Sequence, residues 1–117
     1  MKALSMVAPY GQLVRDGKKT IETRTWKPPY LGTVLFVCSK TAPCPEAGMA
    51  LCVADVTGFS KMVEGDEVRA CCPAYCGAWS WFLSNVRRVK PFPVRGRLGL
   101  FDVPDELITV VDGEGKP

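Results

Sequence analysis

The stretch Gly17-Lys18-Lys19-Thr20-Ile21-Glu22-Thr23-Arg24-Thr25-Trp26 holds the densest mixture of chemically capable groups in the chain. Two lysines, a carboxylate, a guanidinium, three hydroxyls and an indole fall within ten residues. Glu22 has the chemistry of a general base, and Lys19 and Arg24 can stabilise a developing oxyanion or phosphorane-like charge. Lys19, Glu22 and Arg24 are therefore the candidate catalytic residues. The same three can instead clamp a polar or anionic ligand. As a solvated ion pair they would contribute only about 0–1 kcal/mol and do nothing else.

The elements that position these groups follow from the flanking residues. Gly17 is a helix stop, because glycine readily takes the left-handed conformation that ends many helices. The Thr/Ile-rich run after it favours a strand. The stretch is thus a helix-to-strand corner carrying polar side chains, and connections of this kind often carry binding groups. Alternate strand residues share a face, so Glu22, Arg24 and Trp26 point one way, with Thr20, while Ile21 and Thr23 point the other. Lys19 converges on Glu22 if it still belongs to the turn.

Aromatic rings beside basic groups suit unpaired bases, which stack on such surfaces. Trp26, followed by Lys27-Pro28-Pro29 at a strand end, is the first candidate, with Trp79 as a second and Lys18 as a neighbouring cation. At least one of Trp79 and Trp81 is expected in the core.

Composition narrows the function classes. The 117 residues, 12.8 kDa, fit one domain over 1–111 with a flexible tail at 112–117. No apolar run reaches the roughly 18 residues of a membrane span, and no secretory apolar segment opens the chain. The expectation is a cytoplasmic protein without a membrane partner. With no histidine present, Ser-His and Cys-His nucleophilic pairs and any histidine base are excluded. Six cysteines, at 38, 44, 52, 71, 72 and 76, include no Cys-x-x-Cys pair, so neither a metal nor another cofactor is expected. In a reducing compartment they stay thiols, with Cys38 and Cys52 as core residues.

The net charge is +3, but it is distributed in blocks. Residues 1–40 sum to +5, 41–86 to −3, 87–97 to +5 and 98–117 to −4. If the two basic blocks share a face, they form a phosphate-binding patch.

Along the chain, residues 1–7 read as a first strand, and Pro9-Tyr10 opens a short helix with Leu13 and Val14 on its buried side. Thr33 to Cys38 is a strand buried on both faces. Residues 49–59 form the next, with a bulge at Gly58. Residues 60–70 carry a helical turn, and 71–77 a loop. Ala78 to Val89 is a long strand, Arg95 to Val103 a last strand weakened by glycines, and Pro104 to Leu107 a final turn. Many short strands with Gly/Pro-rich connections indicate a barrel or a sandwich.

The order Gly-Lys-Lys-Thr-Ile-Glu-x-Arg-x-Trp, Pro-Pro-Tyr-x-Gly, then an apolar strand ending Cys38-Ser39-Lys40 resembles the ASCH (activating-signal-cointegrator homology) family. The similarity extends through Tyr75 to Leu83 and Pro91 to Leu100. It implies an α+β, β-rich fold: a PUA-like mixed β-barrel of five to six strands with one or two short helices. It also implies an RNA, nucleotide or nucleoside partner, with Ser39 and Lys40 at the cleft. Some members are similar to small amidohydrolases acting on N4-acetylated cytidine, and others are ribonucleases. In the amidohydrolases a lysine, a threonine three residues later and a distant glutamate act together. The lysine matches Lys19, but Glu22 stands at the threonine position, and no motif selects Glu64 or Glu67 as the distant carboxylate. Three readings follow: an RNA- or modified-nucleotide-binding domain, a small hydrolase using Lys19 and Glu22, or an adaptor module whose partner is a protein. The residues leave turnover open and do not identify a protein partner.

Overall fold

The computed structural model describes residues 1–41 and 43–111; the tail expected at 112–117 lies outside them. Six strands form one mixed sheet: β1 (Lys2–Met6), β2 (Ile21–Arg24), β3 (Gly32–Cys38), β4 (Ala50–Lys61), β5 (Trp79–Arg88) and β6 (Leu100–Asp102). Two short helices, α1 (Tyr10–Arg15) and α2 (Glu67–Ala70), complete the β-rich α+β architecture. The strand order is β2-β5-β4-β3-β1-β6, antiparallel throughout except for the parallel β1–β3 pair.

The sheet curls into a half-barrel of the PUA-like kind. β1 and β2 are four places apart in the order, about 19 Å in a flat sheet at 4.8 Å per strand. Yet Arg24 Nη2 on β2 lies 3.1 Å from the Ser5 carbonyl on β1. One side chain spans that gap only because the sheet bends round. The concave face buries Leu4, Met6, Val34, Phe36, Ala54 and Trp81, and Val14 of α1 closes over them. Close approach of the helix depends on Gly11, where a Cβ would stand 2.6 Å from Leu51 Cδ1 and 3.3 Å from Met6 Cβ.

The convex face of β1, β3 and β4 is covered by the C-terminal chain, whose Val89, Phe101 and Val103 pack on Ala3, Leu35 and Val37. β3 is therefore buried on both sides, as its unbroken apolar run predicts. Register shifts mark bulges in β4, one between Val56 and Gly58 where the glycine suggested it. Another, opposite Phe36 and Val37, sends the adjacent Leu51 and Cys52 to the same concave core.

The expected last strand is shorter than its sequence suggested. Only Leu100–Asp102 pairs, antiparallel to β1, while residues 95–99 form no strand. Gly99 has φ +65°, outside the extended region, and Gly96 offers no side chain to pack. The final turn is present at Asp105–Leu107. Among the described residues no helix is long and apolar enough to cross a membrane.

Candidate functional site

The helix-to-strand corner forms as its residues dictate. Gly17 takes φ +79°, and the N–H groups of Lys18 and Lys19 both turn back to the Leu13 carbonyl at 2.9 and 3.0 Å. Lys19 therefore still belongs to the turn, and the pleat begins only at Ile21. Glu22 pairs in register with Trp81 and Arg24 with Trp79, which places both polar residues on the concave side with the buried Trp81. Ile21 and Thr23 face the other way, opposite Phe82 and Ser80.

Three charged groups meet there. Arg24 Nε donates to Glu22 Oε2 at 2.6 Å, and Lys19 Nζ stands 3.6 Å from Glu22 Oε1. Lys19 also donates to the Ala70 carbonyl at the end of α2 and lies 5.3 Å from the centre of the Tyr10 ring. Lys19 is only 2% exposed and Glu22 4%. Carboxylates this enclosed need partners, because an unpaired buried charge costs several kcal/mol. Here each oxygen faces a cation. Arg24 Nη2 is fixed by the Ser5 carbonyl and Met6 Sδ, at 3.1 and 3.4 Å. The two N–H groups of Nη1 have no partner among the described residues.

The triad forms part of the wall of a cleft of about 530 Å³. Trp26, Tyr10, Tyr75 and Cys72 also line it. Trp26 is half-buried and meets Trp81 edge-on with centroids 4.9 Å apart; its carbonyl accepts the Trp81 indole N–H at 3.1 Å. Tyr75, 44% exposed, reaches over from the loop after α2 and donates to Thr23 Oγ1 at 3.1 Å. Tyr10, Cys72 and Tyr75 were not singled out from the sequence. Tyr75 stood in the recognised Tyr-Cys-Gly-Ala-Trp segment, but no local spacing ties that loop to the corner.

The other expected ligand residues lie elsewhere. Ser39 and Lys40 line a second, adjoining cleft of about 720 Å³, and Arg24 borders both. Lys18 is exposed and lines neither, and Trp79 lines neither. The Trp79 ring carries Lys27 Nζ at 4.8 Å and Lys61 Nζ at 6.0 Å, with Phe59 against its edge. Neither Glu64 nor Glu67 lines the first cleft; Glu67 accepts the Ala74 N–H at 2.7 Å.

The basic block at 87–97 divides in two. Arg87 is paired with Asp55 at 2.6 Å and Arg88 with Asp16 at 2.9 Å, both away from the clefts. Arg95 and Arg97 line the second cleft. Through this latter pair the block meets Arg24 and Lys40 of the first basic block, whereas Arg88 meets Arg15 on another face, where both contact Asp16.

Behind the corner, Asp66 braces the segment that supplies the Ala70 carbonyl. Its carboxylate accepts the Val63 N–H at 3.1 Å and the Ser80 hydroxyl at 2.9 Å. The Val63 N–H, then Ser80 and Arg69, hold its pKa below the ordinary aspartate value against the opposing effect of burial. The thiols form no cluster of three potential metal ligands among the described residues. Burial pushes Cys52 up to about 12 and also raises Cys38, whose sulfur lies 3.5 Å from that of Cys44.

No curated protein matches the chain by sequence. The ASCH protein of Zymomonas mobilis has the same fold, with TM-score 0.70 at 14% identity over 90% of this chain and 88% of that one. Two of its variants behave alike: an alanine-for-serine form at TM-score 0.70 and a phenylalanine-for-tyrosine form at 0.69, each 14% identical over 90% of this chain and 89% and 91% of those. At that identity the likeness is one of fold. The family model for the ASCH domain, however, matches residues 4–93, from the first strand through the Lys19–Glu22–Arg24 corner and beyond β5. The chain belongs to the ASCH domain family.

Proposed function

We propose that the protein binds single-stranded RNA or a modified nucleotide, with one base lodged in the cleft of Glu22 and Trp26. The observation that carries this reading is a carboxylate clamped between two cations in an aromatic-lined cleft of nucleotide size. A base presents both an exocyclic amino donor and ring or carbonyl acceptors. Glu22 can accept from the first, as carboxylates do from the cytosine amino group. The unpartnered Nη1 of Arg24 can donate to the second. Trp26 and Tyr75 supply faces for stacking. Lys19, almost wholly enclosed, acts by holding Glu22 in place. Six thiols suit a reducing, cytoplasmic setting.

Hydrolysis of a nucleoside amide or of RNA is the second reading, favoured by Lys19 and Glu22 standing 3.6 Å apart at the cleft. Glu22 would activate water against the amide, or take the proton of a 2′-hydroxyl that attacks the adjacent phosphodiester. Against it, both Glu22 oxygens already face cations, and among the described residues no second carboxylate lines the cleft.

Fluorescence anisotropy with labelled five-nucleotide RNAs tests the binding reading. Saturable binding is expected, weakened by about 1–3 kcal/mol in Trp26→Ala. Absence of saturable binding to any RNA up to high micromolar concentration overturns it. Turnover of N4-acetylcytidine or RNA that disappears in Glu22→Gln would establish the hydrolase instead.

A further inference from the structure

The second cleft has a composition unlike the first. Four cations line it, Arg24, Lys40, Arg95 and Arg97, together with the hydroxyls of Ser39 and Thr41, and among the described residues no carboxylate does. Among the described residues, Lys40, Arg95 and Arg97 have no acidic partner within 4.0 Å. Every other arginine, including Arg24 of this cleft, is held by a carboxylate. Like charges gathered without counter-charge destabilise a compact state. An anion placed among them removes that penalty.

The backbone on either side of Arg95 and Arg97 is anchored. Val94 N–H donates to the Gly48 carbonyl at 2.8 Å, and Ala50 N–H to the Phe92 carbonyl at 2.9 Å, which ties the segment before Arg95 to the start of β4. After Gly99 the chain joins β6, paired with β1. Residues 95–99 thus bridge two anchored points. At Gly96 a Cβ would stand 3.0 Å from Ser5 Oγ, so the bridge passes close over β1. Arg95 and Arg97, two apart, both line the cleft. Anchoring at both ends lowers the conformational entropy lost when such side chains engage a ligand. Arg95 and Arg97 also lie beyond the stretch matched by the family model, residues 4–93.

We infer that the bridge Arg95–Gly99, with Lys40 and the shared Arg24, is a phosphate subsite that takes the nucleic-acid backbone running out of the base cleft. The inference rests on the base-cleft reading for the ligand's identity. It specifies that the ligand is phosphorylated rather than a free nucleoside. Guanidinium groups suit phosphate because their planar donors match its oxygens two at a time, and the Ser39 and Thr41 hydroxyls add neutral donors. Arg24 is the joint, with Nε on Glu22 in one cleft and a position on the border of the other.

Two measurements on the full chain decide it. The first titrates inorganic pyrophosphate and reads backbone amide shifts; Gly96 and Gly99 should move saturably, and the Arg95→Ala/Arg97→Ala variant should lose the effect. The second measures the affinity of a labelled five-nucleotide RNA against KCl concentration. Each phosphate contact on a single strand contributes about 0.7 to the logarithmic slope, so the double variant should be shallower by roughly 1.4. Arg88 and Lys90 line neither cleft, so Arg88→Ala/Lys90→Ala removes the same net charge elsewhere and should leave the slope unchanged. Absence of a saturable pyrophosphate response at the bridge overturns the subsite, as does an equal loss of slope in both double variants. Pyrophosphate binding at the bridge without RNA binding upholds the subsite and overturns the RNA reading.

Discussion

Arg24 and Glu22, two residues apart on one strand, are joined by a 2.6 Å hydrogen bond from Nε to Oε2 on the concave face of the sheet. The Glu22 side chain is only 6% exposed, at the wall of the cleft, so this contact differs in kind from a surface ion pair. In water the pair would contribute little. Enclosed between Arg24 and Lys19, its removal leaves two cations without a counter-charge.

Glu22→Ala is therefore expected to destabilise the fold by about 3–5 kcal/mol, the range for breaking a buried pair from one side. Glu22→Gln keeps an acceptor for Arg24 and should cost less. Urea denaturation of the two variants, compared at equal slope, reads the difference. A Glu22→Ala midpoint equal to that of the parent would mean that the clamp is not a structural unit.

Stability should also fall with acid through Asp66. Its folded pKa is depressed, first by the Val63 N–H and then by Ser80 and Arg69. The unfolded chain therefore binds the proton more readily. The stabilisation is present above the ordinary value of 3.8 and is lost as pH falls through that value toward the lower, folded pKa. Urea midpoints measured from neutral pH to about 3 should decline in the parent protein and decline less in Asp66→Asn.

Gly11 governs how closely α1 meets the sheet. With Leu51 Cδ1 at 2.6 Å from the site of a Cβ, Gly11→Ala must push apart a packed core. Overpacking of this type costs about 1–3 kcal/mol. Alanine's better helix propensity offsets under 1 kcal/mol of that, so thermal unfolding should shift to lower temperature. An unchanged midpoint would show that α1 is free to ride outward.

Thiol reactivity should follow burial and proton affinity. Cys76 is exposed, while Cys52 is fully buried with its pKa raised to about 12. Timed alkylation followed by peptide mass spectrometry should find Cys76 modified first and Cys38 and Cys52 last under native conditions. Early modification of Cys52 would indicate local opening of β4.

The corner was legible in the sequence because its causes are local. A left-handed glycine ends the helix at Gly17, and a two-residue period sets Glu22 and Arg24 on one face. Likewise, the continuous apolar run of β3 and the bulge at Gly58 follow from short-range preference. The division of the basic block did not. Arg87 and Arg88 look like Arg95 and Arg97 in the sequence, yet their partners, Asp55 and Asp16, lie 32 and 72 residues away. Lys18 stands in the motif itself and Trp79 pairs with Arg24, yet neither lines a cleft. The curl of the sheet carries Ser5 to Arg24, and the loops outside the strands bring Tyr75 over Thr23 and Arg95 and Arg97 beside Lys40. Spacing along the chain decides which face a side chain takes. Which faces then meet is decided by how the whole sheet closes over its core, and no single segment encodes that.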